Sequence, residues 1–428
     1  MDSGSRPPPT VFMKLFSLIA CLSCLTLVSA FPQSDSGGFL PLWNGTDLSE
    51  WVNVNGAPET WSVTEPGVIH CTGKPICALR TPRLYENFIL ELEWRHLKSG
   101  GNAGVFIWSS ALAARGQPFL RAIEVQVLDH GYNSKGKNEW YTTHGDVFPI
   151  HGSTMEPFGR HNGQRSFPSE ERSKPSPEWN HYRIDCRDGV LRLSVNGREV
   201  SGGEKCVWRK GHIGLESEGS PVEFRNLRIQ ELPPSATPPT ADQSAPLEPG
   251  WRQLYNGVDL RGWLSTPAPV AGKTELPDAW ESKDWRLVFT PRESGPTSGV
   301  AWASGPFADV ELIIDVRLPK PAEGKEAAEP ELEGGLMLGG GTEGPSIVFG
   351  APSRQGLALL TDPADRGGWH RLHLQMTKDK LAVQVDGQPA GETLGYERNA
   401  GRSDWPLGLV DFGRGMEWAN LYVRPVLP

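Results

Sequence analysis

The sequence predicts an all-β protein built as two β-sandwich domains in tandem. A ten-residue phrase at 42–51 returns at 254–263, and a closing phrase at 223–229 returns at 417–423. The chain of 428 residues has 49 glycines, 38 prolines and 16 tryptophans, a composition that favours short strands joined by tight turns. Apolar and polar residues also alternate with a period of two, as at 88–95, which is typical of strands with one buried face.

The repeat delimits the predicted domains. Copies of roughly 180 to 200 residues are too long for a solenoid repeat and fit whole domains. We therefore expect a first domain at 31–232 and a second domain at 250–428. The stretch 233–249 between them is rich in proline and has no apolar periodicity, so it is predicted to be an extended, semi-rigid linker.

Residues 1–30 are predicted to be a cleaved signal peptide. Lys14 precedes an apolar stretch, and small residues at 28–30 form a cleavage site. Cys21 lies in a loose lipoprotein box, which is the alternative interpretation, and Met13 is an alternative start. We expect export to the periplasm or the extracellular space. No later run approaches the roughly 18 apolar residues that cross a bilayer.

Charge and cysteine content narrow the function classes. The net charge is −9 and the basic residues are scattered, which argues against nucleic acid or an anionic membrane surface as a partner.

Four cysteines follow the predicted cleavage site. In an oxidising compartment Cys71 could pair with Cys77, and Cys186 with Cys206. Buried free thiols are the alternative.

The two copies differ most after the strand at 124–129. About 50 residues follow this strand in the first copy before the next clear strand, against about 20 in the second. A loop of that length inside a compact domain is usually functional or disordered. This loop contains Trp140, His144, Asp146 and His151, and eight of the ten histidines lie in the first domain. Any chemistry is therefore expected in the first domain.

Two groups of residues in this region are candidates for chemistry. Glu124 and Gln126 project from one face of the same strand, which places an acid or base beside an amide that can bind hydroxyls. A solvated polar face would show the same pattern. His144 and Asp146, with His151, could bind a divalent metal ion or transfer protons, and a polar loop held by its own hydrogen bonds is the alternative.

Further polar residues belong to weaker patterns. Asn102 lies in a glycine-rich turn that could approach a ligand. Trp140 stands in a polar loop and could stack on a sugar ring. Glu216 and Glu218 share a strand face, where solvated carboxylates are the default expectation.

Five phrases of the sequence belong together, and they lie at 42–51, 101–106, 124–129, 178–180 and 220–226. Together they resemble the 3-keto-disaccharide hydrolase family, which is common in exported bacterial proteins. The resemblance covers nearly all of the first domain, and the long loop looks like that of a planctomycete-type subfamily. The second domain matches only at its ends and late strands and is interpreted as a degenerate copy.

The resemblance implies a concanavalin-like or LamG-like jelly-roll sandwich whose concave face binds carbohydrate. It also implies an enzyme that acts after a sugar 3-dehydrogenase has oxidised C3 of a glycoside. A base then removes the acidified C2 proton, the C1 substituent leaves by elimination, and water adds.

Roles follow for individual residues. We expect Glu124 as the base and His144 as the acid, and a divalent metal ion held by Asp146 and His151 as the one candidate cofactor. Glu124 and Gln126 match the family's pattern, whereas the loop assignments are our own inference. Substrate binding is assigned to Asn102, Gln126, Arg95, Trp140 and Glu216.

One departure from the family pattern concerns the penultimate strand. Many relatives have Gly-Leu-Gln followed by a histidine there, whereas this chain has Glu216, Ser217 and Glu218 after Gly214-Leu215. A different acid–base set is therefore expected. The alternative functions are a non-catalytic, lectin-like binding module and a structural or adhesive surface protein.

Overall fold

The structure is a computed structural model. The predicted signal peptide and Trp140 lie outside the described residues. In the part that the structure describes, none of the helices is long and apolar enough to cross a bilayer. The described residues are 38–135, 144–266, 279–291, 299–307, 309–320, 331–338, 347–352, 356–377, 380–390, 394–395 and 405–426.

The first domain is formed by short antiparallel strands. A 3-10 helix at His130–Lys135 follows β8. The strands are β1 (Leu40–Pro41), β2 (Val52–Val54), β3 (Trp61–Glu65), β4 (Val68–Cys71), β5 (Cys77–Arg80), β6 (Phe88–His96), β7 (Asn102–Ser109), β8 (Ala122–Leu128), β9 (Val147–Ile150), β10 (Thr154–Pro157), β11 (His161–Asn162), β12 (Arg165–Ser166), β13 (Asn180–Arg187), β14 (Val190–Val195), β15 (Arg198–Val207), β16 (His212–Ser217) and β17 (Val222–Glu231).

The second domain is also built from short strands. A 3-10 helix at Ala241–Gln243 precedes it, and it contains another 3-10 helix at Pro363–Asp365. Its strands are β18 (Arg252–Gln253), β19 (Trp263–Leu264), β20 (Trp280–Lys283), β21 (Arg286–Phe289), β22 (Gly299–Phe307), β23 (Val310–Arg317), β24 (Gly334–Leu338), β25 (Ile347–Phe349), β26 (Leu357–Leu359), β27 (Trp369–Met376), β28 (Lys380–Val385), β29 (Gln388–Pro389), β30 (Leu394–Gly395), β31 (Trp405–Asp411) and β32 (Glu417–Pro425).

Each domain pairs a larger and a smaller sheet around its own core. The larger sheet of the first domain has the order β10-β15-β14-β13-β6-β17-β4-β3, and the smaller has the order β11-β12-β9-β8-β7-β16-β5-β2. In the second domain the orders are β20-β21-β32-β23-β27-β28-β29 and β19-β22-β31-β24-β25-β26. The predicted all-β fold with two tandem sandwiches is confirmed.

The two sandwiches also share one topology. In the larger sheets, β13-β6-β17-β4 corresponds to β27-β23-β32-β21. In the smaller sheets, β8-β7-β16-β5-β2 corresponds to β25-β24-β31-β22-β19. The sequence repeat is therefore a repeat of whole domains, and equivalent strand positions in the two copies can be compared directly.

Period-two alternation explains the first core. On β6, Leu90, Leu92 and Trp94 point inward and are almost fully buried. Trp94 packs edge-on against Tyr182 of β13, with ring centroids 5.4 Å apart, an arrangement that aromatic pairs favour. Each large apolar side chain buried in this way contributes about 1.5–3 kcal/mol.

The cysteines of the first domain are buried free thiols. Burial raises the pKa of Cys71 to about 11 and that of Cys206 to about 12. The structure therefore follows the free-thiol alternative and not the disulfide expectation. Thiols that keep their protons in an apolar environment are chemically inert and pack as small hydrophobic groups.

The stretch 233–249 packs along the first domain. The backbone N–H of Ala245 donates to the carbonyl of Lys210 (2.8 Å), and that of Arg209 donates to the carbonyl of Gln243 (2.9 Å). The Asn87 side-chain amide donates to Ser235 Oγ (3.2 Å). These contacts fix where the second domain begins.

The second domain packs against the outer face of the smaller sheet of the first domain. Ile313 and Tyr422 complete an apolar cluster whose members from the first domain are Val54, Ala78, Phe106, Leu112, Ala113, Leu120 and Ala122. At its edge Asn55 donates to the side-chain oxygen of Asn420 (2.7 Å), and the Tyr422 hydroxyl donates to Asn55 Oδ1 (2.7 Å). We call this group the interdomain cluster.

Candidate active site

Three acidic side chains meet on the same outer sheet face, beside the interdomain cluster. Glu124 lies on β8, Glu216 on β16, and Glu218 directly follows β16. Glu124 is only 6% exposed and Glu216 only 1%. Ala78, which pairs with Glu216 across the sheet, belongs to the interdomain cluster. The acidic group therefore occupies the part of the face that directly adjoins the packed apolar part.

Strand register explains why these side chains converge. Gly104 of β7 lies directly opposite Gln126 on one side, and the pairing of Leu215 with Val105 places Glu216 beside Gly104 on the other. A Cβ atom at Gly104 would lie 2.7 Å from Glu216 Oε2 and 3.0 Å from Glu124 Oε1. The absent side chain thus creates the space in which the two carboxyl groups approach each other.

Burial dominates the electrostatics of this group. Burial, with a smaller contribution from the charge of Glu218, raises the pKa of Glu124 to about 8, although the charge of Arg165 acts in the opposite direction. Burial likewise raises the pKa of Glu216 well above its usual range, with Glu124 and Glu218 adding to the effect. Three carboxyl groups this close cannot all ionise near neutral pH, so they titrate as one coupled set.

Of the three carboxyl groups, Glu218 is the one whose ionised form its neighbours stabilise most. Burial raises its pKa to about 7, but the hydrogen bond from Asn102 and the charge of Arg165 work in the opposite direction. The Asn102 amide nitrogen donates to Glu218 Oε2. Gln126 Nε2 donates to Asn102 Oδ1 (2.8 Å). This amide chain fixes the orientation of the Glu218 carboxylate.

Arg165 of β12 supplies the cation beside the carboxyl groups. Its Nη1 donates to Oδ2 of the fully buried Asp146 (2.9 Å), and its guanidinium lies 3.3 Å from the centroid of the Phe148 ring. An arginine paired and stacked in this way is held in a fixed orientation. A shallow groove opens next to it, lined by Phe148, Pro149, Ser153, Asn162, Gln164 and Arg165.

The structure brings some predicted site residues together and separates others. Asn102, Gln126, Glu124 and Glu216 form one group. Arg95 lies on β6 in the opposite sheet, where it forms an ion pair with Glu223 and a cation–π contact with a tryptophan. The alternation of β6 buries Trp94 and therefore turns Arg95 outward, away from the carboxyl groups.

The histidines of the loop have partners of their own. His144 is buried, and its Nδ1 contacts Ser173 Oγ (2.6 Å). His151 stacks on Phe119 with centroids 6.2 Å apart, and burial lowers its pKa. Asp146 pairs with Arg165. The structure therefore gives Asp146 and His151 separate environments instead of one ligand set.

Sequence reasoning missed two participants. Glu218 and Arg165 were not among the predicted site residues, and the default expectation of solvated carboxylates at Glu216 and Glu218 is wrong. The signal was present at the end of β16, where Glu216 and Glu218 stand two residues apart after the buried Leu215. A second signal was Gly104, which leaves space on the neighbouring strand.

The second domain has apolar residues at the equivalent positions. Gly335 of β24 corresponds to Gly104, and its neighbours across the sheet are Val410 and Val348. These valines stand where the first domain has Glu216 and Gln126, and both are buried. At these two positions the second domain therefore has apolar side chains in place of the polar groups of the site.

Comparison with solved structures gives low overall similarity. A protein proposed to be a glycosyl hydrolase, from Parabacteroides distasonis, is 21% identical with a TM-score of 0.36, covering 46% of this chain and 94% of that one. The carbohydrate-binding module CBM66 from Bacillus subtilis is 16% identical with a TM-score of 0.29, covering 44% of this chain and 98% of that one.

Comparison by sequence is more specific. A 3-keto-disaccharide hydrolase from Bacteroides thetaiotaomicron is 23% identical over 253 residues, covering 46% of this chain and 80% of the relative. The model of the 3-keto-alpha-glucoside-1,2-lyase-like domain matches residues 38–230. This match spans nearly all of the described first sandwich, including Glu124, Glu216 and Glu218. The first domain of this chain is therefore similar to the 3-keto-alpha-glucoside-1,2-lyase-like domain over residues 38–230.

Proposed function

We propose that the first domain cleaves 3-keto-glycosides by proton removal at C2, elimination of the C1 substituent and addition of water. The observation that supports this most directly is the buried group of Glu124, Glu216 and Glu218. Because their pKa values are raised, the group offers ionised and protonated carboxyl groups side by side near neutral pH. General acid–base chemistry needs both forms within one site.

The chemistry follows from the ketone. A carbonyl at C3 acidifies the hydrogen on C2, so a carboxylate can remove that proton and leave an enolate on the C3 oxygen. The enolate then reforms the ketone while the C1–O bond breaks, giving a C1=C2 double bond, and an acid protonates the departing oxygen. Water adds across the double bond, which restores a 3-keto sugar. The net reaction is hydrolysis of the glycosidic bond.

The structure supports a division of roles that differs from the sequence expectation. Glu218 has the lowest pKa of the three and its anion is hydrogen-bonded, so we assign it as the base. Because the pKa of Glu124 is about 8, its carboxyl group keeps its proton at neutral pH, and we assign it as the acid. His144, expected to be the acid, contacts Ser173 instead.

The negative charge that develops on the C3 oxygen of the enolate must be stabilised by a positive charge nearby. Arg165 places a guanidinium near Glu124 and Glu218, as its influence on both pKa values shows. A fixed cation in a site of low dielectric constant stabilises a developing enolate without reorganisation. The amides of Asn102 and Gln126 are positioned to bind sugar hydroxyls.

The proposal extends to the cellular setting. Residues 1–30 would act as a signal peptide and bring the enzyme to the periplasm or the extracellular space. A sugar 3-dehydrogenase must act upstream, since the unoxidised glycoside lacks the acidic C2 hydrogen.

The test uses the full chain with 3-keto-α-glucosides and their unoxidised parents, and follows release of the C1 substituent by mass spectrometry. We expect release from the keto sugars alone. Glu218→Gln should lower kcat by a factor of about 10²–10⁴, the usual contribution of a general base. The matched control is Glu156→Gln, an exposed carboxylate paired with Lys205.

Two outcomes contradict the proposal. One is equal release from oxidised and unoxidised sugars, and the other is full turnover by the Glu218→Gln variant. Sugar binding without any turnover would instead identify a non-catalytic, lectin-like module.

A further inference from the structure

A second polar group lies at the end of β8, six residues beyond Glu124. It consists of His130, His144 and Glu171, each of which offers one ligand atom, and these atoms all lie within 4.8 Å of one another. The group is built from the loop that distinguishes the first domain from the second. The acid–base roles assigned above leave it unused.

The imidazole nitrogens face one carboxylate oxygen. His144 Nε2 contacts Glu171 Oε1, and His130 Nε2 lies 3.5 Å from the same oxygen. The two rings stack with centroids 5.0 Å apart and planes 25° apart. His144 is buried, His130 is one-third exposed, and Glu171 is more than half exposed. The group is therefore buried at His144 and open to solvent at Glu171.

We propose that His130, His144 and Glu171 bind a divalent transition-metal ion of the Zn²⁺ class. Two imidazoles and one carboxylate are a donor set that suits Zn²⁺, and three protein ligands leave a position for water. Tetrahedral coordination at about 2.0–2.1 Å requires ligand atoms about 3.3 Å apart. The half-exposed Glu171 carboxylate must move away from His144 to admit the ion, and the one-third exposed His130 ring can move towards His144 to reach this spacing.

Ser173 orients the buried ligand. Its Oγ contacts His144 Nδ1 at 2.6 Å and His130 Nε2 at 2.5 Å. When His144 Nδ1 carries the proton and donates to Ser173, Nε2 is the acceptor of the ring, and a metal ion there would replace the backbone N–H of Ser173, which lies 3.4 Å from Nε2. Metal binding would replace the contact of Ser173 with His130 and keep the one with His144.

Asp129 holds the backbone on which the group stands. Its Oδ2 accepts from the backbone N–H groups of Gly100 (2.7 Å) and Gly131 (2.8 Å), and also from Ser99 Oγ (3.2 Å). Its Oδ1 accepts from the N–H of Ser176 (2.7 Å). One carboxylate thus ties together the end of β8, the turn before β7 and the segment that carries Glu171 and Ser173. Such a preorganised frame lowers the cost of assembling a metal site.

The site would clamp two segments of the loop to the end of β8. His130 begins the 3-10 helix after β8, His144 precedes β9, and Glu171 lies between β12 and β13. A metal ion joining them restrains the loop that carries Asp146 and Arg165. The expected role is positioning and stability, and the ion takes no part in the proposed acid–base steps.

The experiment uses tag-free full chain stripped with a chelator and titrated with ZnCl₂ by calorimetry, with thermal melting as a second readout. We expect one equivalent bound by the wild type and a higher Tm with ZnCl₂. CaCl₂ should bind at least tenfold more weakly, because imidazole donors do not suit a hard cation. His130→Gln and Glu171→Gln should each weaken binding by tenfold or more and abolish the Tm rise.

His181→Ala is the matched control, because His181 is a partly exposed histidine on β13 beside Glu91. It should keep the full equivalent. Ser173→Ala should weaken Zn²⁺ binding about tenfold while the fold persists, as expected when a residue that orients a ligand is lost. Absence of stoichiometric binding by the wild type, or undiminished binding by His130→Gln, would refute the site. Glu218→Gln should bind Zn²⁺ normally, which separates this inference from the proposed catalysis.

Discussion

Gly104 and Glu216 lie side by side on neighbouring strands, and the missing Cβ of the glycine is what allows the Glu216 carboxyl group to sit there. A Cβ atom would lie 2.7 Å from Glu216 Oε2. Glu216 Oε2 is also buried without a hydrogen-bond partner in the described part of the chain. Such an atom is costly to keep in a stable fold, and this is typical of groups retained for function.

Gly104→Ala should therefore separate the carboxyl groups. The added methyl group must displace Glu216 or Glu124, and overpacking of this kind costs about 1–3 kcal/mol. We expect kcat on 3-keto-glycosides to fall at least tenfold. The control is Gly214→Ala, since a Cβ there would meet its first neighbours at 3.3 Å. Equal kinetics for the two variants would show that the close approach at Gly104 is unimportant for catalysis.

The pH dependence of kcat/KM should be bell-shaped. Turnover needs Glu218 ionised, so it rises as pH passes the Glu218 pKa of about 7. It also needs Glu124 protonated, so it falls as pH passes the Glu124 pKa of about 8. The maximum should lie between these values. A rate that peaks near pH 5, or that climbs steadily to pH 10, would rule out this assignment.

Stability should depend on pH through Glu216. Its pKa in the folded state is raised above the usual value of 4.5, so the folded state holds the proton more tightly than the unfolded chain. The stabilisation is therefore complete below about pH 4.5 and is lost progressively as pH rises towards the folded pKa. Glu216→Gln removes this loss, because the amide does not ionise.

Thermal melting measures this effect. Glu216→Gln should have a Tm about 2–4 °C above wild type at pH 8, which corresponds to about 1 kcal/mol in a domain of this size. The difference should shrink as the pH approaches 4.5. A lower Tm for the variant at pH 8 would mean that the Glu216 carboxyl group stabilises the fold by a contact that glutamine cannot replace.

Asn420 should be a sensitive point of the contact between the domains. Its Nδ2 donates to the carbonyls of Ala114 and Gln117 (both 3.0 Å) and to Asp315 Oδ2 (2.7 Å). Asn420→Ala removes these hydrogen bonds and also takes away the acceptor of the buried Asn55 amide, Asn420 Oδ1, and the loss of a buried partner costs about 1–3 kcal/mol. We expect a lower Tm and faster proteolysis at the domain boundary. Asn162→Ala, an exposed hairpin residue, should leave both unchanged, and similar values for the two variants would argue against a structural role for Asn420.

Alternation and repeats were sufficient to predict the fold. Leu90, Leu92 and Trp94 on β6 point inward as their spacing indicates, and the repeated phrases mark real domains. The pairing of Glu124 with Gln126 on one face was equally local and was predicted correctly.

The rest of the site depends on long-range register. Glu216 approaches Glu124 because β16 and β8 both flank β7, a relationship that no local pattern reveals. Arg165 reaches the same group from a short strand at the sheet edge. Arg95 was assigned to the site although its strand lies in the opposite sheet. Spacing along the chain gives the face on which a residue lies, but not the sheet that contains the strand.

The interdomain cluster makes the solubility of the first domain depend on its packing against the second domain. Phe106 is next but one to Gly104 on β7, and it packs in the same cluster as Tyr422 of the second domain. An isolated first domain would present this apolar surface to water and would tend to aggregate. Substitutions in the second domain, which contributes no side chain to the carboxyl group cluster, should therefore reduce the amount of active enzyme in the cell. Selection on activity would then act on the packing surface of the second domain, although valine stands where the first domain has Glu216 and Gln126.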